Sequence, residues 1–186
     1  MPRKSLAPRR PRSAADAAVA AVVVRRRMLK AYVALGANLG EPALQIEAAL
    51  NRLAQLPETR LPARSRLYRS APLGPAGQPD YCNAVAALET GLEPHALLDH
   101  LQAIERDAGR VRGERWGARY LDLDLLLHGD CRIDDERLKL PHPELANRVF
   151  VLQPLAEIAP ALELPGHGPI SARLAALPHW EIAPWA

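Results

Sequence analysis

Residues 120–129, YLDLDLLLHG, constrain this chain more than any other stretch. Side chains alternate faces along a strand, so Leu121, Leu123, Leu125 and Leu127 are predicted on one side, and Asp122 and Asp124 on the other. The leucine side requires a cover of helices. The two carboxylates then stand roughly 7 Å apart on an open face. Acidic residues are depleted from strands and like charges repel, a penalty that a cation held between them removes. Hard oxygen donors favour Mg²⁺, which takes one or two carboxylates plus substrate phosphates. The plain alternative is a solvated strand face that carries Asp twice.

Periodicity supplies the partners of that strand. AYVALGANLG (31–40) reads as an apolar strand running into a Gly-flanked turn. Ile46, Leu50 and Leu53 keep helical spacing over 42–56, opened by Pro42 and stopped before Pro57. RLPARSRLYRSAPL is extended, with a helix-hostile Pro62, and 71–81 is a Pro- and Gly-rich loop. CNAVAALET (82–90) is a strand, and 94–108 places Leu97, Leu101, Ile104 and Ala108 on one helical stripe between Pro94 and Gly109. The order βαββαβ predicts an α+β, ferredoxin-like antiparallel sheet with its helices on one face. Residues 130–160 read as a loop-rich C-terminal extension ending in a helix near VFVLQPLAEIA.

Charge divides the chain at residue 27. Residues 1–27 hold eight Lys/Arg against Asp16, while the rest is net −4. Asp16 and three closing arginines break any signal-peptide pattern. We therefore expect 1–27 to be a disordered basic, Ala-rich extension, Met28 to be a plausible start, and 28–186 to be one domain. Nucleic-acid-binding domains are expected to be basic in their folded part, which counts against the rival reading of an RNA-recognition module. Two cysteines without a CxxC exclude a disulfide scaffold and a structural zinc site. Cys82 and Cys131 read as small core residues. No apolar run approaches the ~20 residues of a membrane helix, so a soluble globular protein without membrane or nucleic-acid partners is expected.

The loop before the Asp pair holds Arg110, Arg112, Arg115 and Arg119 with Gly113, Gly117 and Trp116. Arginine binds phosphate bidentately and stays charged, so cations beside a metal-binding strand suit phosphoryl transfer, which needs metal, clamps and positioning above all. A solvated arginine loop is the alternative, and Trp116 is either a packing anchor or a stacking lid. GxxxxGK[ST], HRD, DFG and GxSxG are all absent from the sequence. His142, rigid between Pro141 and Pro143, is either a ligand contact or an ordinary loop histidine. His128 reads as a surface turn residue.

ALGANLG, YRSAPLGPAGQPDYCNAV, GRVRGERWGARYLDLDLLL and LKLPHPELANRVFVLQPLAEIAP, in that order, resemble the 6-hydroxymethyl-7,8-dihydropterin pyrophosphokinase family over residues 31–164. The resemblance implies transfer of pyrophosphate from ATP to the pterin hydroxymethyl oxygen, releasing AMP, by a cytoplasmic monomer. It implies that Asp122 and Asp124 hold two Mg²⁺, and that Arg110 and Arg119 are catalytic. Gln102, Glu105, Arg110, Arg112, Trp116, His142 and Arg148 would bind ATP. Ser70 and Leu73 (through backbone), Tyr81, Asn83, Trp116 and Phe150 would bind pterin. Phe150 is the only Phe in the chain and has a core role as its alternative. The chain departs from the pattern in a lid one residue shorter between Arg112 and Arg115, in Ala118 where Pro is common, and in Tyr120 where Thr is common.

Overall fold

The computed structural model describes residues 27–74, 77–109 and 118–186. The expectations for residues 1–26, Arg110, Arg112 and Trp116 lie outside the described residues. The elements run β1 (Leu29–Ala37), α1 (Pro42–Leu53), β2 (Thr59–Arg64), β3 (Tyr68–Ser70), β4 (Tyr81–Thr90), α2 (Pro94–Asp107) and β5 (Asp122–His128). The extension adds β6 (Ile133–Asp134), β7 (Lys139–Leu140), a 3-10 turn (Leu145–Asn147), α3 (Val149–Ile158), β8 (Glu163–Leu164), β9 (Gly168–Pro169), α4 (Ile170–Ala176) and β10 (Ile182–Pro184).

The main sheet has the order β10-β3-β4-β1-β5, with β2 continuing β3's side of β4. All of its pairings are antiparallel. Counting β2 and β3 as one interrupted strand gives the ferredoxin-like arrangement expected of βαββαβ. Both early helices open on proline at the first turn, where the missing N–H costs nothing. Gly109, at φ +85°, takes the left-handed conformation that ends α2. Their buried stripes (Ile46, Ala49, Leu50 and Leu53; Leu97, Leu98, Leu101 and Ile104) cover one sheet face. There they meet Ala31, Val33 and Leu35 of β1 and Leu121, Leu123 and Leu125 at β5.

The two helices of the βαββαβ unit share one face as expected, and the C-terminal extension covers the other: Val151, Leu152 and Leu155 of α3 and Ile170 of α4 join Tyr32, Val85 and Ala87 in a second core. Two expectations at the end of β5 need correcting. Leu127 belongs to that second core instead of the first. The cause is a β-bulge: Tyr32 pairs with Leu127 but Val33 with Leu125, so Leu126 is an extra residue and the alternation inverts beyond it. His128 is consequently turned inward instead of lying on the surface. It is 1% exposed, and its Nε2 donates to the Leu92 carbonyl at 2.9 Å. Cys82 is fully buried in β4 and Cys131 half-buried against the first core. Among the described residues, no helix is long and apolar enough to cross a membrane.

Candidate active site

The second core leaves part of its sheet face uncovered, and there lies a cavity of about 400 Å³, a size suited to a small-molecule ligand. Asp122 and Asp124 line it from the half of β5 before the bulge. Tyr81 and Asn83 face it from β4, Ser70 from the end of β3, and Leu73 from the loop that follows. Arg119 enters from the residues preceding β5, His142 from the loop after β7, and Arg148 and Phe150 from the start of α3. Phe150 both lines the cavity and packs against the second core, so its two readings coexist.

Backbone contacts hold these groups in place. The His142 N–H donates to the carbonyl of Leu126, the bulge residue, at 2.9 Å, which sets the 141–144 loop beside β5. The Glu144 N–H donates to His142 Nδ1 at 3.2 Å, which assigns the ring proton of the neutral imidazole to Nε2. That nitrogen lies 3.9 Å from Asp124 Oδ2, and Arg148 Nη1 lies 3.8 Å from the same oxygen. Arg119 Nη1 donates to Asp122 Oδ1 at 2.7 Å. On the far wall, Asn83 Nδ2 donates to Ser70 Oγ at 3.0 Å.

The electrostatics follow from this crowding. Enclosure by the surrounding protein, and then the like charge of Asp122, push the Asp124 carboxyl above its ordinary value. Burial holds the His142 imidazole below its ordinary value, against the pull of Asp124. Two oxygen-only ligands whose like charges repel each other fit a hard divalent cation. Among the described residues no cluster of three His, Cys, Asp or Glu encloses a metal, which suits an ion completed by phosphate and water.

Gln102 and Glu105 are not brought to this cavity. They stand on α2, and the buried Glu105 carboxylate accepts the Leu123 N–H at 2.8 Å, satisfying a donor on the free edge of β5. Sequence reasoning also missed two residues. Asn38, 2% exposed, accepts the Arg119 N–H at 2.7 Å and donates to the Pro79 carbonyl at 3.1 Å, stapling together the segments that flank the cavity. Gly36 lies in register between Asn83 and Asp122 and forms part of the floor of a smaller neighbouring pocket, which shares Tyr81, Asn83, Asp122, Asp124 and Phe150 with the cavity. A polar residue directly after an apolar strand was the available signal for Asn38. For Gly36 there was none, because a glycine in GANLG reads as part of the turn.

A family model described as 7,8-dihydro-6-hydroxymethylpterin-pyrophosphokinase (HPPK) matches residues 32–160. Over 149 residues the chain is 57% identical to the 2-amino-4-hydroxy-6-hydroxymethyldihydropteridine pyrophosphokinase of Pseudomonas aeruginosa, a match covering 80% of this chain and 92% of that protein. Identity to the enzyme of the same name from Haemophilus influenzae is 55% over 138 residues, covering 74% and 86%. Among solved structures, wild-type Plasmodium falciparum HPPK-DHPS with pteroate aligns at a TM-score of 0.63 and 13% identity, over 80% of this chain and 42% of that one. That likeness concerns the fold alone, and this chain spans less than half of the longer protein.

Proposed function

The chain belongs to the 7,8-dihydro-6-hydroxymethylpterin-pyrophosphokinase family, and from that premise we propose how its cavity moves pyrophosphate from ATP to the hydroxymethyl oxygen of 6-hydroxymethyl-7,8-dihydropterin, leaving AMP. The observation that carries the reading is the meeting in one cavity of the Asp122–Asp124 pair with Tyr81, Asn83 and Phe150. The first group suits metal and phosphate, and the second suits a flat heteroaromatic ring with a polar edge.

The pterin ring packs against Tyr81 and Phe150, Asn83 reads its polar edge, and the backbone at Ser70 and Leu73 completes that contact. Asp122 and Asp124 would hold Mg²⁺, with two ions expected. When bound, the metal supplies charge neutralisation for the phosphates and acidifies the attacking alcohol. Arg119, fixed by Asn38 through its backbone, sets a positive charge beside the pair and stabilises charge gathering on the transferred group. His142 offers its Nε2–H, and Arg148 its guanidinium, to the same phosphates. A nucleotide whose phosphates lie at the Asp pair extends over the free edge of β5, where Gln102 and Glu105 stand on α2. The family resemblance gives Arg110, Arg112 and Trp116, which lie outside the described residues, the role of covering both substrates and excluding water. A monomeric catalytic unit is what the family resemblance implies. Residues 28–186 form that unit, acting in the cytoplasm, with 1–27 as an appendage.

The test is incubation of the full chain with ATP, Mg²⁺ and 6-hydroxymethyl-7,8-dihydropterin, with the nucleotide products separated by chromatography. Pterin-dependent AMP is expected, and residues 28–186 should match the full chain. ADP in place of AMP would overturn pyrophosphoryl transfer in favour of single-phosphate transfer.

A further inference from the structure

Residues 161–186 lie beyond the segment that the family model matches, yet their last strand touches the wall of the site. β3 is only three residues long and carries two of that wall's fixings. Ser70 Oγ accepts from Asn83 Nδ2 at 3.0 Å, and the Tyr68 hydroxyl donates to Glu157 Oε2 on α3 at 2.7 Å. A strand this short, paired on one side only, would open readily.

β10 supplies the second side. Ile182, Ala183 and Pro184 pair antiparallel with Ser70, Arg69 and Tyr68. The Trp185 N–H extends the ladder by donating to the Leu67 carbonyl at 2.8 Å. The Trp185 ring packs against the first core, with the Arg69 guanidinium 5.0 Å from its centroid. Residues 182–186 are thus fastened to β3 by backbone bonds and by one aromatic anchor.

We propose that residues 182–186 act as a clasp that sets pterin affinity by holding β3 in place, with Trp185 as its positioning residue. This rests on the pterin-side reading of Ser70 and Asn83 given above. The effect is one-sided because β10 and β5 lie at opposite edges of the main sheet path. The Asp pair on β5 is braced by β1 and α2 instead. Loosening the clasp therefore disturbs the pterin wall and spares the phosphate side.

The experiment compares the full chain with Trp185→Ala, Trp185→Phe and a chain ending at Glu181. It measures KM for pterin and for ATP, kcat from AMP formation, and backbone hydrogen exchange by mass spectrometry. Trp185→Ala and the shortened chain should raise the pterin KM about tenfold, comparable to the loss of one well-placed interaction, with the ATP KM and kcat within twofold. Trp185→Phe, which keeps the aromatic face, should recover most of the affinity. Exchange should quicken at residues 67–70 and stay unchanged in β1 and β5. Equal rises in both KM values, or unaltered pterin KM and exchange, would overturn the clasp. If the unmodified chain formed no AMP, the reaction reading would fall, while exchange at 67–70 would still decide whether the clasp exists.

Discussion

Gly36 shows how much of the site depends on a side chain that is missing. A Cβ there would meet Asn83 Oδ1 at 3.7 Å and Tyr81 Cδ1 at 3.8 Å, which is ordinary contact, so the fold accepts alanine. The two further methyls of valine would rise from the floor between Asn83 and Asp122. We expect Gly36→Ala to keep its thermal midpoint and lose little activity, and Gly36→Val to lose about a hundredfold in kcat/KM, ~2.7 kcal/mol of barrier. If the valine variant kept a third of wild-type kcat/KM, the substrates would not use that floor. Asp124 is a sharper case, because its enclosure makes it costly to keep unless its charge is used. Asp124→Ala should abolish nearly all turnover in the AMP assay, and retention of more than about a tenth, ~1.4 kcal/mol, would undo the metal assignment. The Asp pair was legible because acid is rare in a strand and its spacing fixes its face. Gly36 was not legible and Asn38 showed only as a polar residue after an apolar strand, since the value of both comes from strands and loops that are distant in sequence.

β5 and α3 are the elements where reading by period succeeds and then stops. Alternation places Leu121 to Leu126 correctly and fails at Leu127, because a bulge is a property of the pairing with β1 and leaves no mark in LDLDLLLHG. The inversion aims Leu127 at α3 and His128 at Leu92. α3 itself was legible as a helix, but its docking face was not, because its partners Val85, Ala87 and Leu127 come from β4 and β5. That docking matters for the site, since the helix carries Phe150 and begins just after Arg148. Leu152 is fully buried at its centre. Leu152→Ala should cost about 2–5 kcal/mol, seen as a lower urea midpoint at unchanged slope, and should weaken pterin binding together with it. A loss under about 1 kcal/mol would place α3 loosely on the sheet.

The described residues build one main sheet with a core on each face, and β4 runs between them, with seven consecutive residues, Cys82 to Leu88, buried. Its sequence, CNAVAALET, gave a hint in being apolar on both faces, although composition cannot say which later segment covers the second one. The question this leaves is whether the two cores open together. Cys82 belongs to the helix-covered core, and burial pushes its thiol up to about 12. At pH 8 it should resist alkylation in the native state, both because the thiolate is scarce and because the reagent has no path to it. Cys131, half-buried in the turn after β5, should be modified first. Labelling of Cys82 then reports opening of the sheet, and Leu152→Ala, placed in the opposite core, probes the coupling. If the sheet transmits the loss, that variant should speed Cys82 alkylation in proportion to its lost stability. Mass spectrometry against time at pH 8 measures this, and added ATP and pterin should slow the labelling by stabilising the closed form. An unchanged Cys82 rate in Leu152→Ala would mean that the α3 side opens alone, leaving the strand that carries Tyr81 and Asn83 folded against α1 and α2.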